Sequence, residues 1–197
     1  MKLYLTESSG NSYKVRVLAS LLKVPYEKVY VDWDAKEHKQ PAFLEKKNPR
    51  GQVPVMEIDG KVFWDSTAHL VYIARKHGGE KWFPSDPLAM AEVAQWLAFA
   101  QNEVYFGLQW ARGRVKGLKP TGDVEEYRGY GRKALETLTW RLKDHEWLAL
   151  DHPTIADVAC YPYVKRAPEG GLALDPYPAV KAWLARCEAL PGWVKID

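Results

Sequence analysis

Four places in the 197-residue chain set polar side chains where a fold can use them chemically. Ser8-Ser9-Gly10-Asn11-Ser12 lies between a β-prone run and an apolar helical pattern. A serine at such a strand-to-helix turn commonly caps the helix. The same hydroxyl, beside the positive end of the helix dipole, also favours a nearby anion. Spacing alone favours the cap. Asp65-Ser66 opens a second helix, where a cap and free backbone N–H groups can hold a carboxylate. Val53-Pro54 is an X–Pro bond with a cheap cis form, or an ordinary proline at a strand start. His38-Lys39 sits among Lys36, Lys46, Lys47 and Arg50. Such a group is either a solvated basic face or a field that draws in a small anion.

The other candidates are blander. Tyr105, Phe106 and Trp110 form an aromatic stripe that reads as core ahead of pocket. Arg112, Arg114, Lys116 and Lys119 complement a helix C-terminus, with an acidic substrate as the alternative. Thr154-x-x-Asp157 is a capping box with Asp in place of the usual Glu, a structural device. Cys160 and Cys187 make no CxxC or metal spacing, and the five histidines make no ligand cluster, so no metal site is expected.

Alternating and helical patterns supply the scaffold. Lys2–Thr6 reads as a strand, Val15–Leu22 as a helix stopped by Pro25, and Lys28–Asp32 as a second strand. Residues 34–50 are irregular, with helical potential at Ala42–Lys46. Val53–Ile58 and Lys61–Trp64 form a hairpin about Asp59-Gly60, where Gly supplies the positive φ. A helix follows from Ser66 and ends at Gly78-Gly79. This βαβ-ββα order is that of a thioredoxin-like α/β domain over residues 1–78. A linker is expected over 79–87. Residues 88–197 lose the strand pattern and read as an all-α helical bundle. There, Met90, Val93, Ala94, Leu97, Val104, Leu108 and Ala111 trace one helical face.

Composition narrows the class. Hydrophobic residues are 47 % and charged residues 27 %, the balance of a globular protein. A net charge of +3 falls short of a nucleic-acid binder and suits a small anionic ligand. The N-terminus meets a charge too early for a signal-peptide core. No run approaches the ~20 apolar residues of a membrane span. With only two cysteines, the expectation is a cytoplasmic protein without nucleic-acid or membrane partners.

Four stretches together resemble one family, the cytosolic glutathione transferases. They are Ser8-Ser9-Gly10-Asn11-Ser12-Tyr13-Lys14-Val15-Arg16, Asn48-Pro49-Arg50-Gly51-Gln52-Val53-Pro54-Val55, Trp64-Asp65-Ser66-Thr67-Ala68 and Thr154-Ile155-Ala156-Asp157. The first resembles the bacterial-like serine-type pattern of phi-, theta- and zeta-like members. Arg50 departs from the apolar or small residue common in its slot.

The resemblance implies a transferase that binds glutathione as co-substrate, with no tightly bound cofactor. It implies attack of the thiolate on a small, largely apolar electrophile, and a homodimer. Ser9 is then the catalytic hydroxyl, with Ser12, Asn11 and Ser8 as fallbacks and Tyr4 as a weaker tyrosine-type alternative. A cis Pro54 would turn the Val53 backbone toward the cysteinyl part of glutathione. Gln52, Asp65 and Ser66 would hold the γ-glutamyl end, and His38 and Lys39 the glycine carboxylate. Tyr105, Phe106 and Trp110 would face the electrophile. The first domain has no cysteine, which argues against thiol exchange by the protein itself. Related alternatives are a glutathione-dependent isomerase and a peroxide or disulfide reductase, although Asn11 stands where zeta-like isomerases carry Cys. A non-catalytic glutathione-binding scaffold is the alternative of another class.

Overall fold

Leu3 and Leu5 are fully buried on either side of a half-buried Tyr4, the period-two signature of a strand with one core face. The computed structural model describes residues 1–118 and 121–196, which leaves Lys119 outside. In it, strand β1 spans Lys2–Leu5. Helix α1, Gly10–Leu21, buries Val15, Val17 and Leu18. It ends where Lys23 takes φ 54° and the Val24 N–H reaches the Ala19 carbonyl at 2.8 Å. Strand β2 is Glu27–Tyr30, starting one residue and ending two residues earlier than the pattern predicts. A 3₁₀ turn at Glu37–Lys39 and helix α2, Pro41–Lys46, order part of the irregular stretch.

Strands β3, Val55–Ile58, and β4, Lys61–Trp64, form the hairpin. Both turn residues have positive φ, 49° at Asp59 and 75° at Gly60. That is the pattern of a primed turn, which needs it at Asp as well as Gly. Helix α3, Ser66–Ile73, follows and widens into a π turn at Ala74–Gly78.

The sheet order is β2-β1-β3-β4, with β1 parallel to β2 and antiparallel to β3. Register sets what comes next. Tyr4 lies opposite Val55, Val55 opposite Trp64, and Leu5 opposite Tyr30. The chain leaving β1, β2 and β4 therefore shares one end of the sheet with the chain entering β3. α1 and α3 start at that end and pack on each other.

The chain divides into two compact units. Met1–Gly78 is joined by the segment from Pro191 onward, and Gly79–Leu190 forms the second. Two boundaries thus differ from the sequence reading. The expected linker holds a short helix, α4, at Gly79–Trp82 and belongs to the second unit. The last residues return to the first unit because Ser20 Oγ donates to the Gly192 carbonyl at 2.7 Å and the Tyr13 hydroxyl to that of Val194.

The second unit is helical. Helix α5, Pro87–Phe99, runs through a π-helical stretch at Ala100–Gln109 into α6, Trp110–Val115. Val93, Leu97, Val104, Leu108 and Ala111 are buried along it, Met90 is half-buried and Ala94 is exposed. Helix α7, Val124–Leu142, packs against the π stretch. The two approach so closely that a Cβ on Gly107 would lie 2.5 Å from the Gly131 nitrogen.

Helices α8, Ile155–Lys165, and α9, Pro178–Glu188, complete the unit. Asp157 anchors α8. Its carboxylate is buried and accepts from Thr154 N at 2.9 Å, Leu148 N at 3.1 Å and Trp183 Nε1 at 2.8 Å. Burial raises its pKa against the pull of those hydrogen bonds. Asp157→Ala strands three buried donors, so it should cost about 3 kcal/mol or more of unfolding free energy in urea titration. A change below about 1 kcal/mol would mean that those donors find other partners.

Candidate active site

Ser9 caps α1 with extended backbone, φ −76° and ψ 118°. Its Oγ accepts from Ser12 N at 3.2 Å. That bond uses a lone pair and leaves the hydroxyl proton free to donate. Capping and anion stabilisation are therefore compatible in one side chain. Ser9 is half-buried, so its hydroxyl can be reached. Ser12 is fully buried, and its Oγ has no protein partner among the described residues. Asn11 is half-buried, and its Oδ1 is buried with no protein partner among the described residues.

The Tyr4 alternative meets a different obstacle. Its hydroxyl donates to Glu57 Oε2 at 3.0 Å and accepts from Lys47 Nζ at 2.8 Å. The ring packs on Val31, Phe43, Val53 and Val55, away from the face where Leu3 and Leu5 are buried. Both capacities of the phenol are used.

At the same sheet end, the Val53–Pro54 bond is cis. No other backbone group engages the Val53 N–H or C=O among the described residues. Asn48 braces the preceding loop. Its Oδ1 accepts from Arg50 N and its Nδ2 donates to the Gln52 carbonyl, both at 2.9 Å. Asp65 caps α3, Oδ1 accepting from Thr67 N at 2.9 Å. It does so with φ 84° and ψ 123°, a strained conformation for a residue bearing a Cβ. Ser66 Oγ is buried and has no protein partner among the described residues. A buried hydroxyl in that condition suits a ligand that supplies the missing hydrogen bond.

His38 and Lys39 join this end through the loop. The His38 ring is buried and stacks on Trp33, centroids 3.7 Å apart and planes 1° from parallel. Burial, with the charge of Lys39 beside it, lowers its pKa, so near neutral pH the ring is uncharged. It offers a hydrogen bond rather than a charge. Lys39 Nζ donates to the Gly51 carbonyl at 2.9 Å and the Arg50 carbonyl at 3.3 Å. An ammonium has three donors, so one remains for a ligand.

Gly51 makes the junction possible. It has φ 57°, and a Cβ there would lie 2.7 Å from the His38 carbonyl oxygen and 2.9 Å from Lys39 Nζ. The Trp33–His38 stack, the close contacts of Gly51 and the Arg50–Asp65 pairing are features of this sheet end that the sequence patterns did not single out. The only available hint was the turn-forming Gly inside an otherwise polar loop.

The second unit carries the aromatic candidates. Tyr105, Phe106 and Trp110 touch edge-to-face or tilted, with Tyr163 and Tyr127 extending the cluster. Phe106 is 45 % exposed, so the stripe is not simply core. Of the basic residues nearby, Arg112, Lys116 and Arg166 engage Glu169. It accepts from Arg112 Nε at 2.8 Å and pairs with Lys116 at 2.5 Å and Arg166 at 3.5 Å. Burial opposes ionisation of Glu169, but the hydrogen bonds from Lys116 and Arg112 win and hold its pKa low. No group of three or more His, Cys, Asp and Glu suited to a metal occurs among the described residues.

Known proteins with this arrangement decide the family. The profile of the glutathione S-transferase N-terminal domain matches residues 1–75, and that of the C-terminal domain matches 118–191. A probable glutathione S-transferase of Oryza sativa subsp. japonica, GSTF2, is 33 % identical over 207 residues, covering 100 % of this chain and 95 % of that protein. The chain belongs to the glutathione S-transferase family. The maleylacetoacetate isomerase of Pseudomonas aeruginosa is 30 % identical over 193 residues, covering 92 % of this chain and 88 % of its own. A crystal structure of a possible glutathione S-transferase from Rhodopseudomonas palustris superposes with TM-score 0.91 at 37 % identity. The match covers 100 % of this chain and 97 % of that one.

The transferase is an enzyme that uses glutathione as co-substrate, and its first unit has the thioredoxin-like fold. The Gly51 junction gives a test that avoids the reacting atoms. Gly51→Ala adds a Cβ to a left-handed residue in contact with backbone, and should lower stability by about 2 kcal/mol. Calorimetric titration should show weaker glutathione binding in the same variant. Unchanged melting and binding would mean that the loop does not need this contact.

Proposed function

We propose that the transferase is of the serine type, with Ser9 donating its hydroxyl proton in a hydrogen bond to the glutathione sulfur. A cysteine thiol has a pKa near 8.5, so near neutral pH most of it is the poor nucleophile. A hydrogen bond to the thiolate and the N-terminus of α1 both favour ionisation. The thiol proton leaves to solvent. The thiolate then attacks an electrophilic carbon, forming a C–S bond as the leaving group departs or a conjugated bond shifts. The observation that carries this reading is the Ser9 geometry: its oxygen accepts from Ser12 N, its proton is uncommitted, and the side chain is half-buried at a helix start.

The rest of the ligand follows the same sheet end. Val53 exchanges backbone hydrogen bonds with the cysteinyl residue, as one added strand would. Ser66 Oγ and the first N–H groups of α3 take the γ-glutamyl carboxylate, and Asp65 pairs with its ammonium. Gln52 contacts this end as well. Lys39, with its remaining donor, and His38 serve the glycine carboxylate. Tyr105, Phe106 and Trp110 offer an apolar surface to the electrophile. No tightly bound cofactor takes part.

In the cell, the protein works as a cytoplasmic homodimer. Support for the location comes from Cys160 and Cys187, both buried and neither in a disulfide. No helix among the described residues is long and apolar enough to cross a membrane. Support for the dimer comes from edge strand β4, which leaves Val62, Phe63 and Trp64 each more than a third exposed. Sedimentation should show a two-chain species, and a single-chain species at micromolar concentration would overturn the assignment.

A second reading, a glutathione-dependent isomerase, draws on the Pseudomonas aeruginosa relative, whose name is maleylacetoacetate isomerase. The engagement of Arg112 and Lys116 by Glu169 weighs against it. The deciding experiment records thiolate absorbance of bound glutathione across pH, for the wild type and Ser9→Ala. In the wild type, ionisation should move well below that of free glutathione. In Ser9→Ala that shift should disappear and kcat/KM fall by about 100-fold, with binding little changed. Bound glutathione that ionises like the free thiol in the wild type would reduce Ser9 to a helix cap.

A further inference from the structure

The guanidinium of Arg50 lies where the γ-glutamyl ammonium is expected. Its Nη1 is 3.4 Å from Asp65 Oδ2. It also sits over the Trp64 indole, 5.6 Å from the ring centroid. The other Asp65 oxygen, Oδ1, is held by Thr67 N. The Arg50 backbone is fixed at both ends of the residue, its N–H by Asn48 Oδ1 and its carbonyl by Lys39 Nζ. The side chain is thus delivered to Asp65 by a braced loop, yet it is itself 49 % exposed. An ammonium arriving at Asp65 must share Oδ2 with Arg50 or displace it.

We infer that Arg50 is a specificity-determining positioning residue that competes with the ligand's ammonium for Asp65. The inference rests on the assignment of Asp65 to the γ-glutamyl end. Arg50 holds the Asp65 carboxylate in place before ligand arrives, and it subtracts from the affinity that the ligand's amine contributes. An exposed, monodentate pair at this distance is weak, so the competition is modest. It also acts on the amine alone. A ligand without that amine gains nothing when Arg50 is removed, and loses the attraction of one positive charge for an anionic peptide.

The test compares glutathione with glutaryl-cysteinyl-glycine, which replaces the γ-glutamyl amine by hydrogen. Dissociation constants are measured calorimetrically for the wild type, Arg50→Gln and Arg50→Lys, with melting curves as the check on folding. Arg50→Gln should tighten glutathione about two- to five-fold relative to the glutaryl analogue. KM for glutathione should fall and kcat hold. Arg50→Lys keeps the charge beside Asp65 and should stay within about twofold of the wild type in that ratio. Equal shifts for both ligands, or a selective loss of glutathione, would overturn the competition while leaving the glutathione site intact. A wild-type chain that binds neither ligand would overturn the site assignment and this inference with it.

Discussion

The row Tyr4, Val55, Trp64 is the constraint on which the rest depends. Side chains alternate along a strand, so a one-residue slip of β3 or β4 would turn the buried face outward. Val55 and Met56 are both fully buried, one on each face, and Leu3 and Leu5 fix the inner face of β1. The hairpin turn adds its own condition, because Asp59 and Gly60 must both adopt positive φ. With the register fixed, Ser9, His38, Val53 and Ser66 emerge at one end of the sheet. No single local sequence could bring them there.

That shared end has a consistent electrostatic character. Two helices begin there, each with unsatisfied N–H groups and the positive end of a dipole. Lys39 and Arg50 add positive charge, and Asp65 supplies the negative one. A tripeptide with two carboxylates, one ammonium and an ionising thiol is the complement of this pattern. The neutral state of His38 fits the same picture, since a charged imidazole would have to be desolvated beneath Trp33.

Much of this was legible in sequence. Strand alternation, the Asp-Gly turn, the Thr154–Asp157 box and the cap positions are local rules that local residues obey. The π-helical stretch at Ala100–Gln109 was not legible, because its apolar spacing is close to that of an α-helix. The return of the chain from Pro191 onward was invisible for another reason. It rests on hydrogen bonds from Tyr13 and Ser20 to backbone carbonyls, which carry no sequence identity. At the site, residue types were readable but commitments were not. Lys39 bonded to two carbonyls and His38 buried under Trp33 both depend on Gly51 allowing contact at a distance no Cβ tolerates.

Commitment is also what separates the polar groups we propose for the ligand from the structural ones. Asp157 spends its carboxylate on three donors. Glu169 is surrounded by cations, and the Tyr4 hydroxyl both gives and receives. These groups stabilise the fold and have little left for a ligand. Ser9, Lys39 and Ser66 differ. Ser9 accepts one bond and keeps its proton, Lys39 keeps a donor, and Ser66 Oγ makes no bond to protein among the described residues. A residue that helps to fold its own site, while leaving part of its hydrogen-bonding capacity unused, is positioned by stability and available for chemistry. Asp65 extends the argument, because its second oxygen is shared with a half-exposed arginine that water or a ligand can replace. Folding alone therefore selects the side chains that hold the site, and the bonds folding leaves unmade determine what the site can bind.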